Sequence, residues 1–409
     1  MNWRPYDPAK DRANVQRIWM ETGWLEKGKE DTMDADLAYG KPIVADINGE
    51  PECLVITTPG DMRYLDEKLP LCAVTAVTTS HIARKQGLAK RLTAQAVANG
   101  VADGALVAGL GMFEQGYYNQ VGFATGSYEL SVSFDPSLLN VPRKARVPRR
   151  LKADDYEIIH AARVARRQGH GACNLGPLYT KAQLIWGDNP FGLGYCHGPN
   201  GELTHFLWLK AKSGAVTNGP YRVEIMAYQT GEQFLELMAL LKSLGDQVRL
   251  VKMTEPPGIQ LQDLMSQPFK QQDMTRNSPY PTGIHAAAWW QRRICDLPGC
   301  LAKTHLRESV RFNLKLSDPI AAHIDEDAPW RGIAGDYVVT LGPSSGAEKG
   351  TDAALPTLTA TAGSFTRLWL GARPASGLAV TDELAGPQEL IDRLDSVLLL
   401  PKPDPDWDF

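Results

Sequence analysis

The stretch from Leu71 to Phe123 constrains the fold more than any other, because it orders a strand, a glycine turn, a helix and a second strand without a break. Leu71-Cys-Ala-Val-Thr-Ala-Val-Thr-Thr79 carries no charge and is rich in β-branched side chains, the composition of a buried strand. Arg84-Lys-Gln-Gly-Leu-Ala89 follows almost at once. Leu88, Leu92 and Ala96 then recur at helical spacing, and Asn99-Gly100 offers a C-terminal stop. A glycine between strand and helix lets backbone N–H groups approach a ligand. The helix N-terminus adds unsatisfied donors and the positive end of its dipole, which suits a pyrophosphate. The chemistry this predicts is binding of an anionic cofactor.

Arg84-x-x-Gly87-x-Ala89 after a strand resembles the pyrophosphate loop of the GNAT N-acetyltransferases. The resemblance implies that Val77, Thr78 and Thr79 at the strand end, with Arg84, Lys85, Gln86, Gly87, Leu88 and Ala89, hold acetyl-CoA. Arg166-Arg-Gln-Gly-His-Gly171 fits the same short pattern, but Asp155 to Arg167 reads as a helix. Lacking an incoming strand, this second match reads as a basic helix end. Gly104 to Leu110 reads as the next strand, and Met112-Phe-Glu-Gln-Gly-Tyr-Tyr-Asn-Gln-Val-Gly-Phe123 is similar to the family's Y-x-x-x-G-F segment. An isolated tyrosine is more often a core aromatic. The spacing to Gly122-Phe123 favours Tyr118 as the residue that the family points at the cofactor sulfur. Lys85-Gln86 stand where the family more often has arginines, and His81 where proline is common. Lys85 keeps the charge but not the bidentate geometry.

Composition narrows the class. The chain has 409 residues, 43% hydrophobic and 22% charged, which predicts two or three soluble domains. No apolar run reaches membrane-spanning length, and Met1-Asn-Trp-Arg-Pro-Tyr lacks the apolar region of a secretory signal, so a cytoplasmic protein is expected. A net charge of −4 argues against nucleic acid as the main partner. The six cysteines and eight histidines are dispersed without ligand spacing, so no metal is expected.

Punctuation divides the chain. Residues 1–145 open with a strand at Trp3-Arg4-Pro5 and a helix through Val15, Ile18 and Trp19, and close with a strand from Tyr128 to Phe134. Val141-Pro-Arg-Lys-Ala-Arg-Val-Pro-Arg-Arg150 reads as a solvated linker. In residues 146–283, Asp155–Arg167 and Gly231–Leu244 look helical, and Leu203–Lys212, Tyr221–Tyr228 and Val248–Met253 look like strands. In residues 284–409 the strands expected are Ala288–Asp296, Val310–Leu316 and Gly335–Leu341. A Gly/Ser-rich loop from Gly342 to Gly350 and a helix from Ser364 to Gly371 follow.

The motifs W-x-x-R-I-x-D-x-P from Trp290, F-x-L-x-x-x-D-P from Phe312 to Pro319, L-W-L-G, and a closing D-W-x-F resemble the Eis-type acetyltransferases across essentially the whole chain. That resemblance implies α/β and α+β architecture: an active GNAT domain, a second, degenerate GNAT-like domain, and a sterol-carrier-like C-terminal domain. It also implies homo-oligomers, commonly hexamers.

The chain ends Pro401-Lys-Pro-Asp-Pro-Asp-Trp-Asp-Phe409. Its prolines limit the unfolded entropy, and Trp407 and Phe409 give it apolar surface to bury. The resemblance implies that the α-carboxylate of Phe409 reaches the first domain as general base, with Tyr118 as general acid. Asp404, Asp406 and Asp408 would enter the acceptor side with the tail. Glu30, with Glu26, Asp31, Asp34 and Asp36, lies in a segment that lines that side in the family, or simply forms an acidic surface. The expected reaction is acetyl transfer to a primary amine, a polyamine or aminoglycoside-like molecule. A protein lysine as acceptor, or a non-catalytic protein binding CoA or lipid, are the alternatives.

Overall fold

Residues 2–186, 189–198, 201–211 and 218–409 are described by the structure, a computed structural model. Contacts gather them into two units. One holds Met1–Ser127, His170–Gly176 and Ala288–Phe409; the other holds Tyr128–Gly169 and Pro177–Ala287.

The first unit begins with β1 (Trp3–Pro5), α1 (Pro8–Glu21), α2 (Glu30–Tyr39), β2 (Lys41–Ile47), β3 (Glu50–Tyr64), β4 (Glu67–Thr79), α3 (Leu88–Ala102), β5 (Val107–Gly111) and β6 (Ala124–Thr125). Its main sheet runs β1-β2-β3-β4-β5, then Trp290–Ile294, then β6, with Cys173–Leu175 added alongside β3. Alternation along the strands sorts the core into two faces. Val44, Leu54 and Ile56 meet Val15, Ile18 and Trp19 of α1. Ala45, Cys53 and Val55 face the side covered by Leu92, Ala96 and Val97 of α3. Each large aliphatic side chain buried this way contributes about 1.5–3 kcal/mol. Asp7 caps α1 with its side chain, while Asp11 turns inward to an ion pair with Arg4 at 2.6 Å.

Two expectations change here. Gly100 does not stop α3, which continues to Ala102. A Cβ at Gly100 would lie 2.5 Å from Cys72 Sγ, so the glycine is there because the helix crosses β4 too closely for a side chain. The segment Ala288–Asp296 forms the strand Trp290–Ile294, which lies between β5 and β6, antiparallel to both.

A five-stranded sheet, ordered Gly346–Lys349, Gly335–Leu341, Val310–Ser317, Thr357–Thr361 and Leu384–Ala385, lies in the same unit. The expected Gly342–Gly350 loop therefore includes a short strand. Helix Ala362–Trp369 ties the two sheets. Trp369 stacks on Tyr64 at 4.3 Å, and Tyr64 Oη donates to the Trp369 carbonyl at 2.8 Å. Arg293 pairs with Asp318 at 2.7 Å with both side chains fully buried.

The second unit is built on a seven-stranded sheet ordered Gly283–Ala287, Glu129–Phe134, Val251–Thr254, Tyr221–Ala227, Leu203–Ala211, Pro190–Cys196 and Arg149–Leu151. The strand expected to close the first segment thus pairs with Val251–Thr254 and Gly283–Ala287 instead. Its alternating pattern reports that it is a strand, not which sheet it joins. Lys212, the expected end of one strand, lies outside the described residues. Tyr221–Ala227 and Val251–Thr254 run parallel, joined through helix Gly231–Ser243.

Candidate active site

The candidate site is the crevice where two strands part. β4 and β5 pair in parallel only from Leu71–Val107 to Val74–Leu110, yet β4 runs on to Thr79. On its other side β4 bulges against β3: Leu54 faces Thr78 and Ile56 faces Thr75, so Ala76 and Val77 stand opposite Val55 alone. Ala76 takes a left-handed φ of 51° to do so. A bulge leaves one residue out of the ladder and re-aims its neighbours. Thr78 is committed inward, accepting from Trp19 Nε1 at 3.2 Å, and Thr79 Oγ1 meets Cys53 Sγ at 3.4 Å.

The loop after β4 exposes Arg84, Lys85, Gln86 and Gly87. Lys85 and Gly87 both sit at left-handed φ, 62° and 76°, so the chain doubles back to present the start of α3. No side chain caps α3 and no acidic residue occupies its first turn. In the second unit, the helix joining the parallel strands is closed by its own capping box, Thr230 with Gln233. The orphan N–H groups and positive dipole end of α3 therefore remain available to an anion beside two exposed cations. Gln86 Nε2 donates to the Ile82 carbonyl at 2.9 Å, which stiffens the turn.

Tyr118 begins a short 3₁₀ turn, Tyr118–Val121, that ends at Gly122 with φ of 79°. Only 6% of it is exposed. It belongs to the apolar cluster of Val74, Leu92 and Leu110, against which Val77, Leu88 and Ala89 also pack. Burial raises its pKa well above that of a free phenol, with the neighbouring Tyr117 adding to the effect. The hydroxyl thus stays protonated across the physiological range, the state a proton donor requires.

The C-terminal tail is fastened along the first unit. Ser127 donates to the Pro403 carbonyl, Asp404 N–H donates to His170 at 2.9 Å, and Cys173 N–H donates to Pro405 at 2.8 Å. Trp407 is buried, and a terminal oxygen of Phe409 accepts from Gly111 N–H at 3.1 Å. Gly111 directly follows the last β5 residue paired with β4. The terminal carboxylate is therefore anchored where the crevice opens.

No protein-family model and no curated protein matches the sequence. Solved structures do. A probable N-acyltransferase from Enterococcus faecalis is 17% identical with a TM-score of 0.79, covering 100% of this chain and 99% of its own. A GCN5-related N-acetyltransferase from Kribbella flavida is 16% identical at 0.74, covering 100% and 98%. Eis1 from Mycobacterium abscessus is 15% identical at 0.75, covering 100% of both chains. The fold is that of the GCN5-related N-acetyltransferases. At such identities the likeness speaks for the fold alone, and the GNAT fold here spans the whole chain, not only residues 71–123.

Within this GNAT fold, the strand end, the loop and Tyr118 come together around β4 and α3, and Phe409 joins them at Gly111. The acidic residues are placed differently. Asp404 is 4% exposed and accepts from Asp406 N–H at 3.1 Å, which puts its carboxylate inside the tail. Asp408 is exposed and Asp406 half-buried. Glu30 opens α2, where the N–H groups of Glu30 and Gly28 hold its carboxyl below the usual range. Asp34 pairs with Arg12 at 2.7 Å and Glu26 with Lys29 at 3.0 Å. Sequence reasoning missed Trp289, whose ring packs over Gly111, and Arg292, whose guanidinium faces the Phe409 ring. The only signal for either was the Trp-Trp-Gln-Arg-Arg run, read as a strand of another sheet.

Proposed function

We propose that this protein is an acetyl-CoA-dependent N-acetyltransferase that acts on primary amines by direct transfer. The observation that carries the reading is the Phe409 carboxylate held on Gly111 N–H at the mouth of the β4/β5 crevice. An acceptor amine is protonated at neutral pH and cannot attack a thioester until that proton leaves. In this reading Phe409 removes it, directly or through a water. The amine nitrogen then bonds to the acetyl carbonyl carbon while the carbon–sulfur bond breaks, Tyr118 donates its proton to the departing thiolate, and the second proton leaving the nitrogen passes through water to restore the tyrosine. Backbone N–H groups near Val77 and Thr79 face the carbonyl oxygen as charge develops on it. The first-turn amides of α3, beginning at Leu88 and Ala89, take the pyrophosphate with Arg84, Lys85 and the Gly87 turn.

Polyamines or aminoglycoside-like amines are the acceptors this reading favours, with a terminal carboxylate and the exposed Asp408 on the acceptor side. The second unit serves in it as a degenerate GNAT-like domain, its phosphate end closed by Thr230 and Gln233. The segment 284–409 serves as a sterol-carrier-like domain that supplies the base.

Thiol release from acetyl-CoA with a panel of polyamines and aminoglycosides tests the proposal. Tyr118→Phe is expected to lower kcat by about 10²- to 10⁴-fold with little change in the KM for acetyl-CoA. A chain ending at Asp408 should lose activity to a similar degree. Full activity in that shortened chain would exclude the carboxylate as base.

A further inference from the structure

Arg292 is a buried cation with an unusual set of neighbours. It is 2% exposed on the strand between β5 and β6. Its guanidinium carbon lies 5.0 Å from the centre of the Trp290 ring and 4.9 Å from that of Phe409, so it faces both aromatics. Nη1 donates to the Gln291 carbonyl at 3.0 Å and Nη2 to Cys173 Sγ at 3.2 Å. Among the described residues no carboxylate pairs with it, and its Nε–H has no partner. A buried charge without a counter-charge is costly, whereas the fully buried Arg293 next to it has Asp318.

The glycines of β5 show what lies near it. A Cβ at Gly109 would lie 2.5 Å from Arg292 Nη1, and one at Gly111 would lie 3.0 Å from the Phe409 terminal oxygen. Residues two apart on a strand point to the same face, roughly 6.6 Å from each other. The guanidinium and a terminal oxygen of Phe409 therefore lie on one face of β5, each in the space left by a missing side chain and without an ion pair between them. We propose that Arg292 is a positioning residue for the C-terminal base: it grips the Phe409 ring by a cation–π contact and its charge keeps the adjoining carboxylate ionised. This inference rests on the reading of Phe409 as base.

Two variants and one truncation test it. Arg292→Met removes the charge, and Phe409→Leu keeps the carboxylate and chain length but removes the aromatic face. Phe409→Leu touches only the chain end, so it serves even if Arg292→Met fails to fold. Each is expected to lower kcat by about 10²-fold, the loss typical of a misplaced catalytic group. Arg292→Met should also move the acid limb of kcat/KM upward by about one pH unit, a shift that lost packing alone does not produce. In a chain ending at Asp408, Arg292→Met should cause no further loss of the residual rate. Carboxypeptidase A should release the last residue faster from both full-length variants than from wild type. The positioning role is overturned if Arg292→Met lowers the rate by the same factor with and without Phe409. It is also overturned if both variants keep wild-type rate and wild-type protection of the chain end. If the chain ending at Asp408 is itself fully active, the base reading fails, and the release assay alone then decides whether Arg292 holds the tail.

Discussion

Asp404 has its carboxyl group almost out of water, and burial, aided by Asp406, raises its pKa to about 6. In the unfolded chain the same group titrates near 3.9. Below about pH 4 both states hold the proton and the residue is neutral to stability. Between about 4 and 6 the folded state holds a proton that the unfolded state releases, so stability falls as pH rises. Above about 6 the full cost of a buried carboxylate remains. Asp404→Asn keeps the Oδ1 acceptor for Asp406 N–H without the charge. It should stabilise the protein at pH 7 by roughly 2–3 kcal/mol, with the gain vanishing near pH 4. Urea midpoints of both proteins at pH 4, 5.5 and 7 check this, and a gap independent of pH would rule it out. At this scale Tyr118 and Phe409 could be singled out in the sequence because their neighbours sit at short, recognisable spacing. The role of Asp404 could not, since three aspartates alternate in the tail and only packing distinguishes the buried one.

At the scale of elements, α3 carries the cofactor hypothesis and also shows how a local rule is overridden. Glycine inside a helix costs about 1 kcal/mol against alanine, so Gly100→Ala would normally stabilise. Here the new methyl would press on Cys72 Sγ at 2.5 Å, and overpacking of this kind costs roughly 1–3 kcal/mol. Gly100→Ala is therefore expected to lower Tm, and Ala89→Gly, in the half-buried first turn, should lower it through the propensity term and the lost packing of one methyl group. Thermal melts of the two variants test both. The existence of β4, α3 and β5 was legible because an uncharged β-branched run, a 3.6-residue period and a short apolar run follow one another. The contrast between the open α3 terminus and the Thr230/Gln233 cap was legible in principle as well: Thr-x-x-Gln is a capping-box pattern. The bulge at Ala76 was not, since nothing in Val-Thr-Ala-Val-Thr signals a left-handed residue.

Across the whole molecule, the first sheet is assembled from three distant pieces of chain. Trp290–Ile294 fills the position between β5 and β6, and Cys173–Leu175 adds to β3. Residues 1–145 expressed alone would leave β5 with one open edge, which invites aggregation. They would also carry Glu129–Phe134 without the strands it pairs with. That fragment is expected to be insoluble or molten, whereas the full chain unfolds cooperatively. A dispersed amide NMR spectrum from the fragment would refute this. None of the helices among the described residues is long and apolar enough to cross a membrane.

By itself the sequence determined that a strand, a glycine turn, a helix and a second strand follow one another from Leu71 to Leu110, where an anionic cofactor is expected, and that the tail has apolar side chains to bury. These follow from periodicity, turn chemistry and composition, which act within a few residues. The tertiary structure alone decided which sheet Glu129–Phe134 and Trp290–Ile294 join, because any alternating strand can pair with many edges. It also decided that Gly109 and Gly111 make room for Arg292 and the terminal carboxylate. That choice depends on groups 180 to 300 residues away, which meet only once the whole core has closed.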